Sequence, residues 1–577
     1  MAPKRPMHSM PGQGPLIGPT PDSTPDELTR IGSEYLERGQ LNDATFALRL
    51  ALKRDPAYAE AHYVLGEVQA EKNDLGAAVR EYRAALAADA NYADAYFGLA
   101  WALEKLGQMP EAVTAQKKGL SLDPDNVQAH VDFGTMLFFA GNLDGALAAF
   151  KQALLLAPDN AMALQGVGAI YFEKGDFESA CQSFQRAIEA KPDWSLPHQD
   201  LAMSLSCMGK TASSQLQSRI AQQVEHKEKQ REEADTIAFQ ANRAFLRGDL
   251  DEAERMVKEA LSVFPEHPAS YRLLGMMAAG QEDMRAAIGL FRRALEFDAG
   301  DIDARSHLAW ALEQAGELGE AEAQIHELLK RLPGDSWGHN HLGWIYFQQE
   351  RIEEAIAEYR KALASNPRNL NALYNLGSAL IEKRDFEGAI PPLQTALRSD
   401  PGDTEARLHL AWAYEQQGEW DEAIRELLQV LDQDPDDVDA RFELAWSREQ
   451  KGEFGEAMRL YAEVLQYDPK HSFAHNNLGF LMERKGDARA AEREYRLAIQ
   501  HDPTNGNAYH NLANMLLIRG DRKGALKEVT HALELMPQDL DLRFDLAHLL
   551  AESGKLKEAV EQYHQILKLA PHDPLAY

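Results

Sequence analysis

The chain has 577 residues, 45% of them hydrophobic and 26% charged, with a net charge of −31 at neutral pH. That balance repels phosphate polymers and anionic membranes, so nucleic acid and membrane surfaces are not the expected partners. Cys181 and Cys207 are the only cysteines, too few for a disulfide framework, which points to a reduced, cytoplasmic compartment.

Residues 1–24 are rich in proline, glycine and methionine and hold no apolar run long enough for a signal peptide or a membrane span. A disordered tail is expected there. Thr24-Pro25-Asp26-Glu27 then reads as a capping box with proline at the first helical position, where an amide hydrogen is not needed. From this point proline, or alanine in its place, recurs every 34 residues, at Pro56, Ala90, Pro124, Pro158 and Pro192, and again from Pro265 to Pro571. A fixed period of this length marks a stack of like helical units. With the proline as position 32, the frame runs from residue 25 to 573 in sixteen repeats, and position 20 is alanine in all of them but one, Ser214. Position 8 is always glycine or alanine, position 7 is most often leucine, and position 15 is glycine in twelve repeats. Small residues at fixed points let two helices approach closely while bulky neighbours fill the gaps. Each repeat therefore reads as helix, tight turn, helix, and a terminating proline.

This pattern resembles the tetratricopeptide repeat family. Residues 336–369 carry its eight points as His339, Leu342, Gly343, Tyr346, Ala355, Tyr359, Ala362 and Pro367. The resemblance implies an all-α, right-handed superhelical solenoid whose first helices line a concave groove. It also implies protein binding rather than catalysis. No phosphate loop, metalloprotease helix or nucleophile elbow is present, so no enzyme activity and no cofactor are expected.

The period breaks once, between Pro192 and Pro265, which lie 73 residues apart. The second half of repeat 195–228 has lost its apolar pattern to Ser214, Ser218 and Gln222, and neither glycine nor proline occurs between Lys210 and Arg247. One long helix of roughly 57 Å is expected there, its polar run Glu225 to Glu233 exposed in the middle. The expected organisation is a tail (1–24), a first array (25–209), a helical connector (210–247), a second array (248–573) and a short end (574–577). A bent connector would leave the two arrays mobile relative to each other.

In the family the resemblance names, positions 2, 5, 6, 9, 12 and 13 of the first helix face the groove. Position 9 is aromatic here in Trp101, Trp310, Trp344, Trp412, Trp446 and Phe480. Four of these tryptophans precede a glutamate by three residues: Glu104, Glu313, Glu415 and Glu449. Such a pair shares one helix face. His307, His341 and His409 lie one turn earlier, and Asn375, Asn477 and Asn511 occupy the same position in other repeats. An aromatic and acidic stripe suits a segment carrying Lys or Arg, through cation–π contacts and charge-assisted hydrogen bonds. The competing reading is that the tryptophans pack between repeats. The histidines of this row lie on separate helices, and His339 and His341 point to different sides of theirs, so no metal site is expected. The asparagines resemble, in part, the amide ladder in the repeats of O-linked N-acetylglucosamine transferases, which implies contact with a bound peptide's backbone. Acidic residues such as Glu405 and Glu443 stand where a carboxylate clamp would need Lys or Arg.

The last repeat ends without a covering helix, and Tyr563, Ile566 and Leu567 are expected to meet water partly, which would favour a homo-oligomer. The function expected from the sequence is a non-enzymatic scaffold that binds proteins or extended peptides in the groove. The alternatives are a regulatory or targeting subunit of a separate enzyme or of a secretion or glycosylation machinery, and a self-assembling structural protein.

Overall fold

A computed structural model describes residues 23–37 and 39–569. The expected amino-terminal tail and the short carboxyl-terminal end, with Pro571, lie outside the described residues. Among those described there are 31 α-helices and no strand. They alternate between first helices of mostly 13 residues and second helices of mostly 14, as in Ser336–Gln348 followed by Ile352–Ser365.

The repeat frame explains why each helix starts and stops. Thr24 and Glu27 close the capping box reciprocally, amide to carboxylate at 2.9 Å and amide to hydroxyl at 3.3 Å. Most later first helices are capped by the side chain of the last residue of the preceding repeat, Tyr58, Tyr92 and Trp194 being exceptions. Asn369 accepts from the amide of Ala372 and Asp403 from that of Ala406, each at 3.1 Å. Many of the chain's aspartates therefore sit on helix N-termini, where the helix dipole favours them. At position 15 Gly418 takes a left-handed φ of 76°, a conformation free of strain only without a Cβ. Asn73, Glu282, Glu350 and Arg384 hold the same left-handed turn with a side chain.

Position 8 is small because the side chain at position 24 lies against it. A Cβ on Gly343 would come within 2.7 Å of the Tyr359 ring. Ala355, Tyr359 and Ala362 are all but completely buried in the interface between the two helices and the next repeat. Burying a side chain of this size contributes about 2–3 kcal/mol, and repetition of this cluster is what joins repeat to repeat.

The chain forms two compact units, one ending at Ala315 and the other beginning at Gly316. The break in the period falls inside the first unit, where Thr211–Leu246 is one unbroken helix of 36 residues. Its first part packs on Ser195–Cys207 and its last part on Leu250–Val263, so it serves as second helix of one repeat and first helix of the next. Ser214 spends its hydroxyl on the carbonyl of Ala202 at 2.8 Å. The middle of the helix is tethered rather than free. Glu228 accepts from the amide of Ser195 at 3.1 Å, and Arg231 reaches Asp193 at 3.3 Å. Both contacts tie the polar run to the turn before Ser195. In the other unit Ile566 is fully buried and Tyr563 and Leu567 are half-buried, so the expected exposure of Ile566 is corrected.

Candidate functional site

In the unit that begins at Gly316, the first helices Ser336–Gln348, Leu370–Glu382, Thr404–Gln417, Val438–Gln450 and Ser472–Arg484 carry most of the residues singled out above. Position 9 forms a ladder. Trp412 is 38% exposed and meets Phe386 edge-on, with ring centroids 5.4 Å apart. Trp446 is half-buried and meets Trp420 edge-on at 5.5 Å. Phe480, 37% exposed, shares the guanidinium of Arg484 with Phe454, the cation lying 5.9 Å and 4.2 Å from the two ring centroids. Trp412, Trp446 and Phe480 are thus each associated with the residue that opens the preceding repeat's second helix, while part of each ring's surface stays open. Trp344 is half-buried. The supporting residues Phe386, Trp420 and Phe454 went unnoticed in the sequence; an aromatic one position beyond each second-helix cap was the available signal.

The glutamates three residues on point deeper. Glu415 is buried and accepts the hydroxyl of Ser447. Glu449, half-buried, accepts the phenol of Tyr461 at 2.8 Å, and Glu483 accepts that of Tyr495 at 2.8 Å in the next repeat. The hydroxyl partners of Glu415 and Glu449 are neutral and do not offset the loss of water. Burial pushes the Glu415 carboxyl up to about 8, opposed by the Ser447 bond and reinforced by Glu443. Glu443 and Glu449 are also raised, chiefly by burial; Tyr461 and Arg484 hold Glu449 back.

The amides and imidazoles are mostly engaged within the fold. Asn375 donates to Asn340 at 3.1 Å, Asn511 to Asn476 at 3.0 Å, and Asn477 to Tyr461 at 3.0 Å. All three bonds cross from one repeat to the next. His341 is buried and stacks on Trp337 with centroids 3.9 Å apart. His409 is buried beside Tyr374, its Nδ1 3.3 Å from Ser378, and loss of water pulls it down to about 4, so it is neutral.

The remaining candidates lie in the unit that ends at Ala315. His307, Trp310 and Glu313 are buried on Ile302–Gln314. His307 faces Phe291 at 5.5 Å and is shifted down by burial. Trp101 is 42% exposed and Glu104 half-buried on Ala93–Lys105. Among the described residues no group of three His, Cys, Asp or Glu is placed to hold a metal ion, and no helix is long and apolar enough to cross a membrane.

Two family models described as tetratricopeptide repeat match the chain. One covers residues 278–339, 380–445, 449–516 and 516–577, and the other covers 29–93, 240–302 and 340–404. The chain belongs to the tetratricopeptide repeat family. A further model, the middle TPR-like domain of cilia and flagella-associated protein 70, matches residues 96–226. The chain is 38% identical over 95 residues to cellulose synthase operon protein C of Xanthomonas axonopodis pv. citri (strain 306), a match that takes in 16% of this chain and 6% of that protein. Among solved structures, YrrB, described as a TPR protein with an unusual peptide-binding site, is 22% identical with a TM-score of 0.30, covering 32% of this chain and 96% of its own. MamA is 22% identical with a TM-score of 0.28, covering 30% and 93%. The Cut9–Hcn1 hetero-tetramer of APC/C supplies a chain 15% identical with a TM-score of 0.35, covering 85% and 96%. A TPR array of this kind is a scaffold for protein–protein interaction.

Proposed function

We propose that this TPR protein is a non-enzymatic, cytoplasmic scaffold whose first helices, over residues 336–505, hold an extended basic segment of a partner protein. The observation that carries the reading is the pairing of open aromatic faces with desolvated carboxyls. Trp412 and Phe480 leave over a third of their surface to water, and Glu443 and Glu449, on the first helix of the intervening repeat, are raised by burial. A Lys or Arg laid on an indole gains about 0.5–2 kcal/mol from the ring. The same cation gives the neighbouring carboxyl a direct counter-charge. Trp344, Trp412, Trp446 and Phe480 would be the anchors, Glu443 and Glu449 the charge, with the engaged asparagines and buried histidines keeping the helices in register.

Binding of a cation would lower the pKa of those carboxyls and release protons, so affinity should rise as pH rises above the ordinary carboxyl range. The test is fluorescence anisotropy of a labelled Lys/Arg-rich peptide against the full chain, with a Glu-rich peptide as control. Trp412→Ala with Trp446→Ala should weaken the basic peptide at least tenfold while leaving the melting temperature within a few degrees. Equal affinity for both peptides, or unchanged affinity in the variant, would refute the reading.

A second reading, a subunit that positions other components of a larger machinery, is favoured by the 95-residue likeness to cellulose synthase operon protein C. Co-purification of one enzyme rather than many basic clients would select it.

A further inference from the structure

Charge is distributed unevenly within the unit that begins at Gly316. Residues 400–439 hold thirteen Asp and Glu against two Arg, a local balance of −11. Residues 484–527 hold nine Lys and Arg against five Asp and Glu, a balance of +4 in a chain of −31. Both ends of this contrast are exposed. Asp432, Asp434, Asp436 and Asp439 stand in water on the turn from Trp420–Gln433 into Val438–Gln450. Asp432, Asp436 and Asp439 form no ion pair among the described residues.

The basic end is built on the second helix Ala488–His501. Arg489, Arg493, Arg496 and Gln500 follow one another at helical spacing around a shallow hollow of about 270 Å³. Arg493 is 65% exposed and Arg496 57%, and Arg519 joins from the next repeat at 60%. Glu492 sits beneath them, pairing with Arg496 at 2.6 Å and Arg519 at 3.0 Å, so one carboxylate serves two guanidiniums. Arg522 lies close in sequence, paired with Glu552 at 3.4 Å. The surface therefore retains excess positive charge and free guanidinium donors, a surface for bidentate contact with carboxylates. Interleaved Glu492 and Glu494 break the continuity that a polyphosphate backbone would need, and suit separate carboxylates instead.

We propose that the arginine face of Ala488–His501 docks the aspartate turn 432–439 of a second copy of this chain. The two surfaces lie in different repeats of one compact unit, so stacking keeps them apart within a chain and leaves each available to another. Such a contact is heterologous, joining unlike patches, and it propagates into a ring or a filament. It does not depend on the groove reading above.

Sedimentation velocity of the nuclease-treated full chain at 50 mM and 500 mM NaCl tests this. Expected is concentration-dependent association at low salt that weakens at least tenfold at high salt. A variant with Arg489→Glu, Arg493→Glu and Arg496→Glu should be monomeric, as should one with Asp432→Lys, Asp436→Lys and Asp439→Lys. Mixed in equal amounts, the two should associate again, because each carries the complement of the other; circular dichroism checks that both are folded. A wild-type monomer at low salt, association insensitive to salt or to either reversal, association seen only before nuclease treatment, or failure of the mixture to associate would each overturn the proposal.

Discussion

Repeats 336–369 and 195–228 share one frame and build different joints. In the first, Tyr359 at position 24 lies 1% exposed against Gly343, and the next repeat stacks on the surface so formed. In the second, Ser218 takes that position, Ser214 bonds back to Ala202, and a cleft of about 470 Å³ opens between Ser195–Cys207 and the long helix. The chain does not fold back there; the second helix runs on to Leu246. Helix formation is thus local to each repeat, whereas the turn into the next repeat depends on an apolar surface worth returning to.

The comparison is sharpened most by exchanging its central side chains. Tyr359→Ala should cost about 3–5 kcal/mol in chemical denaturation, whereas Ser218→Ala should stay within about 0.5 kcal/mol. Equal effects would mean that the ring is not what joins the repeats. Next in size, Lys229→Pro in the middle of the long helix removes a backbone bond and should cost about 3 kcal/mol. It should also raise proteolytic cutting between Glu225 and Glu233. Gly418→Ala should cost about 1–2 kcal/mol through the left-handed turn, seen as a lower melting temperature.

The pH response is a subtler test of the regular half. Glu415 has a folded-state pKa of about 8, above the ordinary carboxyl value of 4.5. Its protonated form favours the folded state, so that contribution is complete below about pH 4.5 and is lost as pH rises through 8. Glu415→Gln keeps an acceptor for Ser447 without the charge. Its melting temperature relative to wild type should therefore climb between pH 5 and 8, and a constant difference would show that Glu415 is ionised throughout. Among the substitutions expected to destabilise, the smallest effect is that of Thr24→Ala, about 1 kcal/mol confined to the first repeat, read by hydrogen exchange of Pro25–Glu37.

Much of this architecture was legible in the chain itself. The 34-residue period placed the helices, because alanine, glycine and proline act at fixed points through local geometry. The turns of Gly418 and Gly554 and the capping box of Thr24 and Glu27 follow from backbone preference alone. The unbroken helix between Lys210 and Arg247 was visible as a stretch lacking glycine and proline.

The candidate site was legible only in part. Sequence spacing put Trp412 and Glu415 on one helix face. Packing then divided them, leaving the indole 38% exposed and burying the carboxyl to 4%. A face of a helix is a local property, but depth is set by what the neighbouring repeat brings, here Ser447 above Glu415 and Phe386 beside Trp412. The same holds for Asn375, which a single helix presents freely and the stacked repeat ties to Asn340. Residue type and period determined the repeats of this protein; which polar groups face water was decided by the contacts between repeats, since desolvation depends on atoms distant in sequence.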